Sequence, residues 1–378
     1  MFNKVTSNEQ KLTLLLAVPF VSKNIQTAAQ TIISNNKHLD FQKVYQFAIN
    51  HEIAGFVYRN SKSVDLFPIE LRERLKGFYR KTAMLNMVGI KETLVILKVL
   101  YENGISVIPL KGTFASDCLF NDLGVYPSGD IDVLVSPEDL SKTKDILSSK
   151  GGYSLVDTIS ESDLLKNHYH LILLKQMTLE IHWNLVKRYF KVPAAFWWET
   201  ARPMEWNGIK AMDLSVENNI LYNVFRLFDH CFYPLRFFVL LSAIIEKNKN
   251  CIDWNLLLHT AESHRMKKLL VFTLIATQDL MGTDIPASIS KNRSKKYGLF
   301  KYIVFSGIFS GIKRKHLRMM VYTLLLINPV IWSKVFLGRI FPSTGELRLR
   351  YNLPPESRKV YLYYLLNPIL LLFKSRKK

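Results

Sequence analysis

The sequence predicts an α+β fold, in which a small mixed β-sheet core is flanked by helical N-terminal and C-terminal regions. Most of the chain carries apolar residues at helical spacing, but about residues 104–190 contain short runs rich in β-branched residues. Two of these runs are joined only by Gln176-Met177, which predicts an antiparallel hairpin. Earlier runs alternate with helices, as parallel strands do. The sheet should therefore be mixed.

The composition is that of a folded protein with a filled core. The chain has 378 residues, of which 48% are hydrophobic and 12% aromatic. This length allows two or three domains. We expect a helical N-terminal region at 1–103, the sheet core at 104–210, a helical domain at 211–290 and a basic helical region at 291–378.

The three cysteines and the first residues indicate the compartment. Cys118, Cys231 and Cys251 are far apart and form no C-x-x-C motif. This arrangement suits a reducing environment and argues against a disulfide framework or a thiolate zinc site. The start of the chain lacks the pattern of a signal peptide. We therefore expect a cytoplasmic protein.

Two helical predictions precede the core. Phe41–Tyr58 places its apolar residues at roughly helical spacing, and a long amphipathic helix is expected at about 70–102. Asn103-Gly104 is a common C-terminal stop and should end that helix.

The core is predicted to contain five strands, a helix-like stretch at Phe114–Asn121, and a helix that begins at Pro137 and ends at Lys150 before Gly151-Gly152. The predicted strands are Ile105–Leu110, Ile131–Val135, Tyr153–Val156, His168–Leu174 and Thr178–Trp183.

After the core, residues 192–210 are aromatic and look irregular. Helical periodicity returns in Val216–Lys247, with a break expected near Tyr233-Pro234, and in Trp254–Met281.

Most of the net charge of +20 comes from the C-terminal quarter, where 19 Lys and Arg residues and only two acidic residues, Glu346 and Glu356, give +17. Such a region can rest on an anionic membrane surface, bind RNA phosphates, or be a solvated basic face. Its apolar stretches Met319–Trp332 and Val360–Phe373 each have 14 residues and a proline, which is too short for a spanning helix. We favour membrane-surface contact, at the inner face of the membrane, over nucleic acid.

A pair of carboxylates lies at the start of the second predicted strand. Asp130 and Asp132 are two residues apart and should share one face of the strand, while Ile131 and Val133 enter the core. Two like charges this close are costly without a cation. Mg²⁺, which binds carboxylates and phosphate oxygens, is the natural candidate.

Two further motifs could form one site with this carboxylate pair. Lys111-Gly112-Thr113 stands at a strand-to-helix turn, where glycine permits close approach, helix N–H groups can face an anion, and the lysine and threonine side chains add a cation and a hydroxyl. Glu180 is a third acidic residue, alternating with apolar ones on the fifth predicted strand. Three carboxylates beside such a turn could hold two Mg²⁺ ions that neutralise a triphosphate, and Glu180 could accept a hydroxyl proton.

These motifs, in this order, resemble the nucleotidyltransferase superfamily with a polymerase-β-like core. "VIPLKG", "GDIDVLV", "GGY" and "LEIHWNLV" look more narrowly like the bacterial uncharacterised nucleotidyltransferase family, and the resemblance extends over about residues 80–285. It implies transfer of an NMP from an NTP such as ATP to an acceptor hydroxyl with Mg²⁺ or Mn²⁺. The acceptor, whether a small molecule, RNA or protein, stays open.

The resemblance also assigns residues. Gly112 and Thr113, with Lys111 beside them, match the phosphate-holding turn, Asp130 and Asp132 match the metal-binding pair, and Glu180 matches the third carboxylate. Three departures stand out. Val125 or Tyr126 occupies the place of a frequent arginine before the aspartates, Thr113 replaces the more usual serine or glycine, and Glu180 replaces the more common aspartate.

Two other functions and one other metal site were weighed. A glycosyltransferase could use D-x-D to hold a sugar nucleotide through a metal, and would need neither Glu180 nor the Gly112 turn. An inactive nucleotidyltransferase fold could serve as an adaptor that binds membrane or RNA. The histidines His168, His170 and His182 could suggest zinc, but are better read as hydrogen-bonded core or rim residues, with His182 at most a supporting partner of Glu180.

Overall fold

The structure is a computed structural model. It describes residues 6–36, 38–62, 67–155, 170–187, 190, 192–291, 293, 295–311, 321–322, 333, 337–338, 340–351, 353–354 and 356–374.

The helices of these residues surround one central sheet. They are α1 (Asn8–Ala17), α2 (Lys23–Asn35), α3 (Phe41–Asn50), α4 (Ala54–Ser61), α5 (Ile69–Glu102), α6 (Leu140–Ser149), α7 (Phe196–Glu199), α8 (Val216–Asp229), α9 (Arg236–Asn248), α10 (Trp254–Ser263), α11 (Lys267–Met281), α12 (Ala287–Ser290), α13 (Lys295–Ser310), α14 (Thr344–Tyr351) and α15 (Lys359–Lys374).

The central sheet is mixed, as the sequence predicts. Its strands are β1 (Ile108–Pro109), β2 (Asp130–Leu134), β3 (Ser154–Leu155), β4 (His170–Leu174) and β5 (Thr178–His182), in the order β1-β2-β5-β4-β3. Strands β2 and β5 are parallel, and the other pairs are antiparallel. The predicted hairpin at Gln176-Met177 joins β4 to β5. The fold class is therefore confirmed as α+β with helical flanks.

One hairpin was missed. Strands β6 (Arg202–Trp206) and β7 (Ile209–Asp213) form a second, two-stranded sheet, so the prediction of irregular structure at 192–210 is wrong there. Asn207-Gly208 connects the strands, and both residues have positive φ. An Asn-Gly pair between two runs is the usual signal of a tight hairpin turn.

Two predicted helices are each divided in two. Phe41–Tyr58 becomes α3 and α4, and Trp254–Met281 becomes α10 and α11. Each break contains a residue with positive φ, Glu52 in the first and Arg265 in the second. A helix cannot continue through this conformation. Neither residue is a glycine, so the sequence carries no obvious signal.

The two faces of the central sheet have different neighbours. One face packs a core in which Ile131, Val133 and Ile181 meet Leu97 of α5 and Leu147 of α6. The long helix α5 ends before Gly104, as predicted. The opposite face carries the carboxylates and lies towards α8 and α9. This second face holds the candidate site.

A larger hydrophobic core joins the N-terminal helices to the helices that follow the sheet, as shown by buried Leu12, Phe56, Phe228 and Leu274. Within the residues described, no helix has both the length and the apolar character needed to cross a membrane. The predicted apolar stretch Val360–Phe373 is helical, in α15. Most of Met319–Trp332 lies outside the described residues.

Candidate metal and phosphate site

Asp132 and Glu180 are directly paired neighbours on the parallel strands β2 and β5. Because paired residues of parallel strands point to the same face, their carboxylates meet above the sheet. Ligand atoms of Asp132, Glu180 and His182 lie within 4.8 Å of one another. The structure thus brings together two of the three carboxylates that the sequence predicts for metal binding.

His182 is the residue that sequence reasoning undervalued. Its Nε2 is 3.0 Å from Oδ1 of Asp132 and 3.4 Å from Oε2 of Glu180. The only sequence signal is its position two residues after Glu180, which puts both side chains on one face. Of the other two histidines, His170 pairs with His182 in the backbone register of β4 and β5. His168 lies outside the described residues.

Lys111 occupies the space between the two aspartates. Its Nζ is 2.9 Å from Oδ1 of Asp132 and 3.8 Å from Oδ2 of Asp130. The backbone fixes this position, because the N–H of Leu110 donates to the carbonyl of Asp132 at 2.9 Å. Lys111 is therefore tied to the carboxylate pair itself.

Charge pairing within the cluster outweighs burial for three groups. Burial would raise the pKa of Asp132, but Lys111 and His182 hold it well below its usual range. Burial would lower the pKa values of Lys111 and His182, but Asp132 raises both. Asp132 is thus a buried anion that Lys111 and His182 stabilise, each as a cation or a proton donor.

Asp130 lies at the outer end of β2, outside the compact group of three. Its side chain is partly exposed. Burial and the neighbouring Asp132 raise its pKa, and Lys111 opposes them. A further cation nearby would therefore stabilise the charged form of Asp130.

Gly112 is needed at the turn for two reasons. Its φ is +69°, a conformation that other residues rarely adopt. A Cβ at this position would lie 2.5 Å from Oγ of Ser128 and 3.4 Å from the carbonyl of Asp130. Ser128 is itself fixed, because its hydroxyl donates to the carbonyl of Asp130 at 2.8 Å. The turn thus packs directly against the start of β2.

Thr113, predicted to add a hydroxyl to the turn, is buried against α5. Its Oγ1 is 3.4 Å from Oγ1 of Thr93. A Cβ on Gly89 of α5 would lie 2.5 Å from the Thr113 methyl group. The side chain thus lies in the interface with the long helix.

The loop that leads into β2 is held by buried polar contacts. The Asn86 side-chain amide of α5 donates to the carbonyls of Leu123 and Tyr126 at 2.7 and 2.8 Å. The hydroxyl of Ser116 donates to the carbonyl of Tyr126 at 2.9 Å. These bonds set the position from which the aspartates emerge.

Two arginines from the helical side approach the carboxylates. Arg226 of α8 is buried, and its guanidinium donates to Oδ1 of Asn223 at 3.2 Å and lies over the ring of Phe237. Its charge acts on both Lys111 and Asp132. Within the described residues, no carboxylate forms an ion pair with Arg226. The motif search found neither arginine, because both lie far along the chain.

The second arginine, Arg236 of α9, lines a cavity of about 500 Å³ together with Gly129, Asp130 and Thr178. Its Nη1 is 2.7 Å from Oε2 of Glu52 and donates to the carbonyl of Pro127 at 2.8 Å. This cavity opens beside Asp130.

A second cavity, of about 190 Å³, is lined by Lys111. Polar side chains of α8 and α9 line it, among them Asn219, Tyr222 and Lys247. Burial raises the pKa of Tyr222 to about 12, so its hydroxyl stays protonated at neutral pH. One cavity thus borders Asp130 and the other borders Lys111.

The residues present fit a divalent cation. Two carboxylates and an imidazole nitrogen converge, and oxygen donors of this kind suit Mg²⁺ or Mn²⁺. Oδ2 of Asp132 is buried, and the described residues offer it no hydrogen-bond partner. A buried carboxylate oxygen without a partner is costly, and a bound cation would relieve that cost.

Comparison with known proteins identifies a family. Residues 37–282 match the family model described as uncharacterised nucleotidyltransferase. No curated protein and no solved structure matches the chain at a significant level. The family match covers well over half of the chain and includes both β2 and β5. The chain therefore belongs to the uncharacterised nucleotidyltransferase family.

Proposed function

We propose that this protein is a Mg²⁺-dependent nucleotidyltransferase that transfers an NMP from an NTP to an acceptor hydroxyl. The acceptor oxygen forms a bond to the α-phosphorus, the bond from that phosphorus to the bridging oxygen breaks, and pyrophosphate leaves. One observation carries the proposal: Asp132 and Glu180 are paired across β2 and β5, beside Lys111 and the Gly112 turn.

Asp132, Glu180 and His182 would hold the divalent ion, and Asp130 is the fourth group within reach of the same face. A bound Mg²⁺ or Mn²⁺ would neutralise phosphate charge and lower the pKa of a hydroxyl. Glu180 is the carboxylate that we assign to take the proton from the acceptor, because its side chain is less buried than that of Asp132.

The chain supplies positive charge for the phosphates from several elements. The ammonium group of Lys111 is within 4 Å of both aspartates. A triphosphate held beside these aspartates would therefore lie within reach of Lys111, which could bind a phosphate oxygen in place of a carboxylate. Arg226, buried without a carboxylate partner among the described residues, and Arg236, beside Asp130, provide further cations. We assign to these two arginines the role of the residue that Val125 and Tyr126 do not fill.

We assign the two cavities to the two substrates. The larger one, beside Asp130 and Arg236, suits the triphosphate because it adjoins the carboxylates and a cation. The smaller one, beside Lys111 and Tyr222, has room for a small polar group. We assign it to the acceptor, which is a small molecule or the end of a larger one.

The test is label transfer from each α-labelled NTP to components of a cell extract, with Mg²⁺ or Mn²⁺. We expect transfer by the natural protein and a loss of at least about a hundredfold for Asp132→Asn and for Glu180→Gln, since each removes a carboxylate from the metal site. Asp145→Asn, an exposed carboxylate of α6, is the matched control and should retain full activity.

Other outcomes would replace the proposal. Transfer of sugar label from a sugar nucleotide, with no transfer from any NTP and no need for Glu180, would identify a glycosyltransferase. Transfer that persists in Asp132→Asn would remove this cluster from catalysis. If no nucleotide is transferred and Mn²⁺ binding is the same in Asp132→Asn and the natural protein, the chain is an inactive adaptor.

A further inference from the structure

The C-terminal helix α15 presents an apolar face to solvent, and we propose that this face docks on an anionic lipid bilayer. The inference is independent of the proposed catalytic function. We define the α15 face as the exposed apolar side chains of this helix: Tyr361, Leu362, Tyr364, Leu365, Leu366 and Ile369.

The orientation of α15 is fixed by its other side. The buried Asn367 accepts hydrogen bonds from Arg350 and Tyr351 of α14, both at 2.9 Å, and donates to the carbonyl of Ile340 at 2.7 Å. The rings of Tyr351 and Tyr363 stack with their centroids 4.3 Å apart. A buried polar group with three partners is costly to displace. The helix therefore cannot turn its apolar face inwards without breaking these bonds.

The outward face is more apolar than a solvated helix face should be. Leu365 is 71% exposed, Leu362 is 56% exposed and Ile369 is 51% exposed. These residues lie at spacings of three, four and seven along one side of the helix. The ring of Phe341, also exposed, lies 5.7 Å from that of Tyr364 and extends the patch. A contiguous exposed patch of this kind marks an interaction surface.

The surrounding charge selects the partner. Residues 291–378 carry 19 Lys and Arg against two Glu, and exposed Lys359 begins α15, directly after exposed Arg358. Beyond the helix, the sequence continues with Arg376, Lys377 and Lys378. An apolar face bordered by cations matches the acyl boundary and the anionic headgroups of a membrane surface. Tyr361 and Tyr364 also fit, since tyrosine favours this interface.

The length of α15 agrees with lying on the surface. The helix has 16 residues and contains Pro368. A helix of this length rises about 24 Å, which is less than the hydrocarbon thickness of a bilayer. It therefore suits an in-plane position.

The test is flotation of the full chain with vesicles of phosphatidylcholine alone or mixed with phosphatidylglycerol. We expect binding to the mixed vesicles only, weakening as salt rises. The triple variant Leu362→Ser, Leu365→Ser and Ile369→Ser should bind at least about tenfold more weakly, because it removes three exposed apolar groups. All three side chains are exposed, so the fold should persist, which circular dichroism checks.

A matched control is available on α5, where Met84, Met87 and Val88 are also exposed. Their triple change to serine should leave vesicle binding unaltered. Equal binding by the natural protein and the α15 triple variant would overturn the proposal. The proposal would also fail if the natural protein bound no vesicles but bound single-stranded RNA, and the α15 triple variant lost that RNA binding. It would fail as well if the natural protein were a dimer in solution and the α15 triple variant a monomer.

Discussion

Nε2 of His182 lies 3.0 Å from Oδ1 of Asp132 and 3.4 Å from Oε2 of Glu180, so one imidazole contacts both carboxylates. The contact arises from the parallel pairing of β2 and β5, which sets Asp132 beside Glu180 and leaves His182 two residues further along the same face. Such a histidine can act in two ways. It can bind a metal itself, or it can hold the carboxylates that do.

Substitution of His182 separates these two roles. We expect His182→Ala to weaken Mn²⁺ binding about 10–100-fold, the usual effect of losing a group that orients metal ligands. His182→Gln keeps an N–H donor near Asp132. If the histidine mainly holds the carboxylates, His182→Gln should recover most of the affinity. Titration calorimetry with Mn²⁺ measures both.

The control for this pair is His259→Ala, an exposed histidine on α10. It should not change Mn²⁺ affinity. If His182→Gln binds as weakly as His182→Ala, the imidazole nitrogen is itself a ligand. If neither changes the affinity, the cluster is not the metal site.

Lys111 would compete with a bound metal for Asp132, since its Nζ is 2.9 Å from Oδ1 of that residue. We expect Lys111→Met to lower the free energy of unfolding by about 3 kcal/mol without metal, because the buried Asp132 loses its cation. We also expect Mn²⁺ to raise the Tm of this variant more than that of the natural protein, since a ligand that binds the native state more tightly stabilises that state more.

Lys175→Met gives a comparison at another ion pair, in which Lys175 is 2.9 Å from Glu92. That variant should show the same Mn²⁺-induced shift in Tm as the natural protein. A shift in Lys111→Met no larger than this would mean that Lys111 does not share its carboxylates with the ion.

The sequence predicted the central part of the site because strand periodicity is local. Once β2 and β5 are recognised as strands, the alternation of side chains places Asp130 and Asp132 on one face of β2. It likewise places Glu180 on the face of β5 away from its apolar neighbours. The parallel register that pairs Asp132 with Glu180 joins residues far apart in the chain, so it cannot be read from local periodicity. Only the family resemblance implied that these motifs lie together.

The residues that sequence reasoning missed come from long-range packing. Arg236 lines a cavity with Asp130, and the charge of Arg226 acts on Lys111, yet both arginines lie far along the chain and no local pattern predicts their approach. Thr113 shows the converse. Its motif position predicted a hydroxyl at the phosphate-binding turn, but the side chain is buried and its Oγ1 lies 3.4 Å from that of Thr93. The β6–β7 hairpin differs, because Asn207-Gly208 was a readable signal.

Gly112→Ala should destabilise the protein by roughly 2–4 kcal/mol. The positive φ costs about 1 kcal/mol for any side chain, and the added Cβ would meet Oγ of Ser128 at 2.5 Å. Gly104→Ala is the matched control, because Gly104 has a φ of +73° but nothing within 4 Å of its Cβ position. It should cost only about 1 kcal/mol. Urea unfolding gives both values.

A double-mutant cycle identifies the contact. In a Ser128→Ala background the next neighbours of the new Cβ are at 3.4 and 3.5 Å, so Gly112→Ala should cost about as little as Gly104→Ala. An unchanged cost in that background would show that Ser128 is not the obstacle.

His51 should make stability depend on pH. Burial lowers its pKa to about 3, although a hydrogen bond to the backbone of Ile308 opposes this. Its Nδ1 accepts the N–H of Leu235 at 3.3 Å, and the ring packs against Phe47 and Tyr233. Because the unfolded chain binds a proton near pH 6.5 and the folded chain does not, stability is lost as pH falls below that value, by up to about 1.4 kcal/mol per pH unit. His51→Gln should lose this slope between pH 7 and 5 in urea unfolding, whatever its absolute stability. His259→Ala, which removes an exposed histidine, should keep the slope. Equal slopes in His51→Gln and the natural protein would show that His51 titrates alike in the folded and unfolded states.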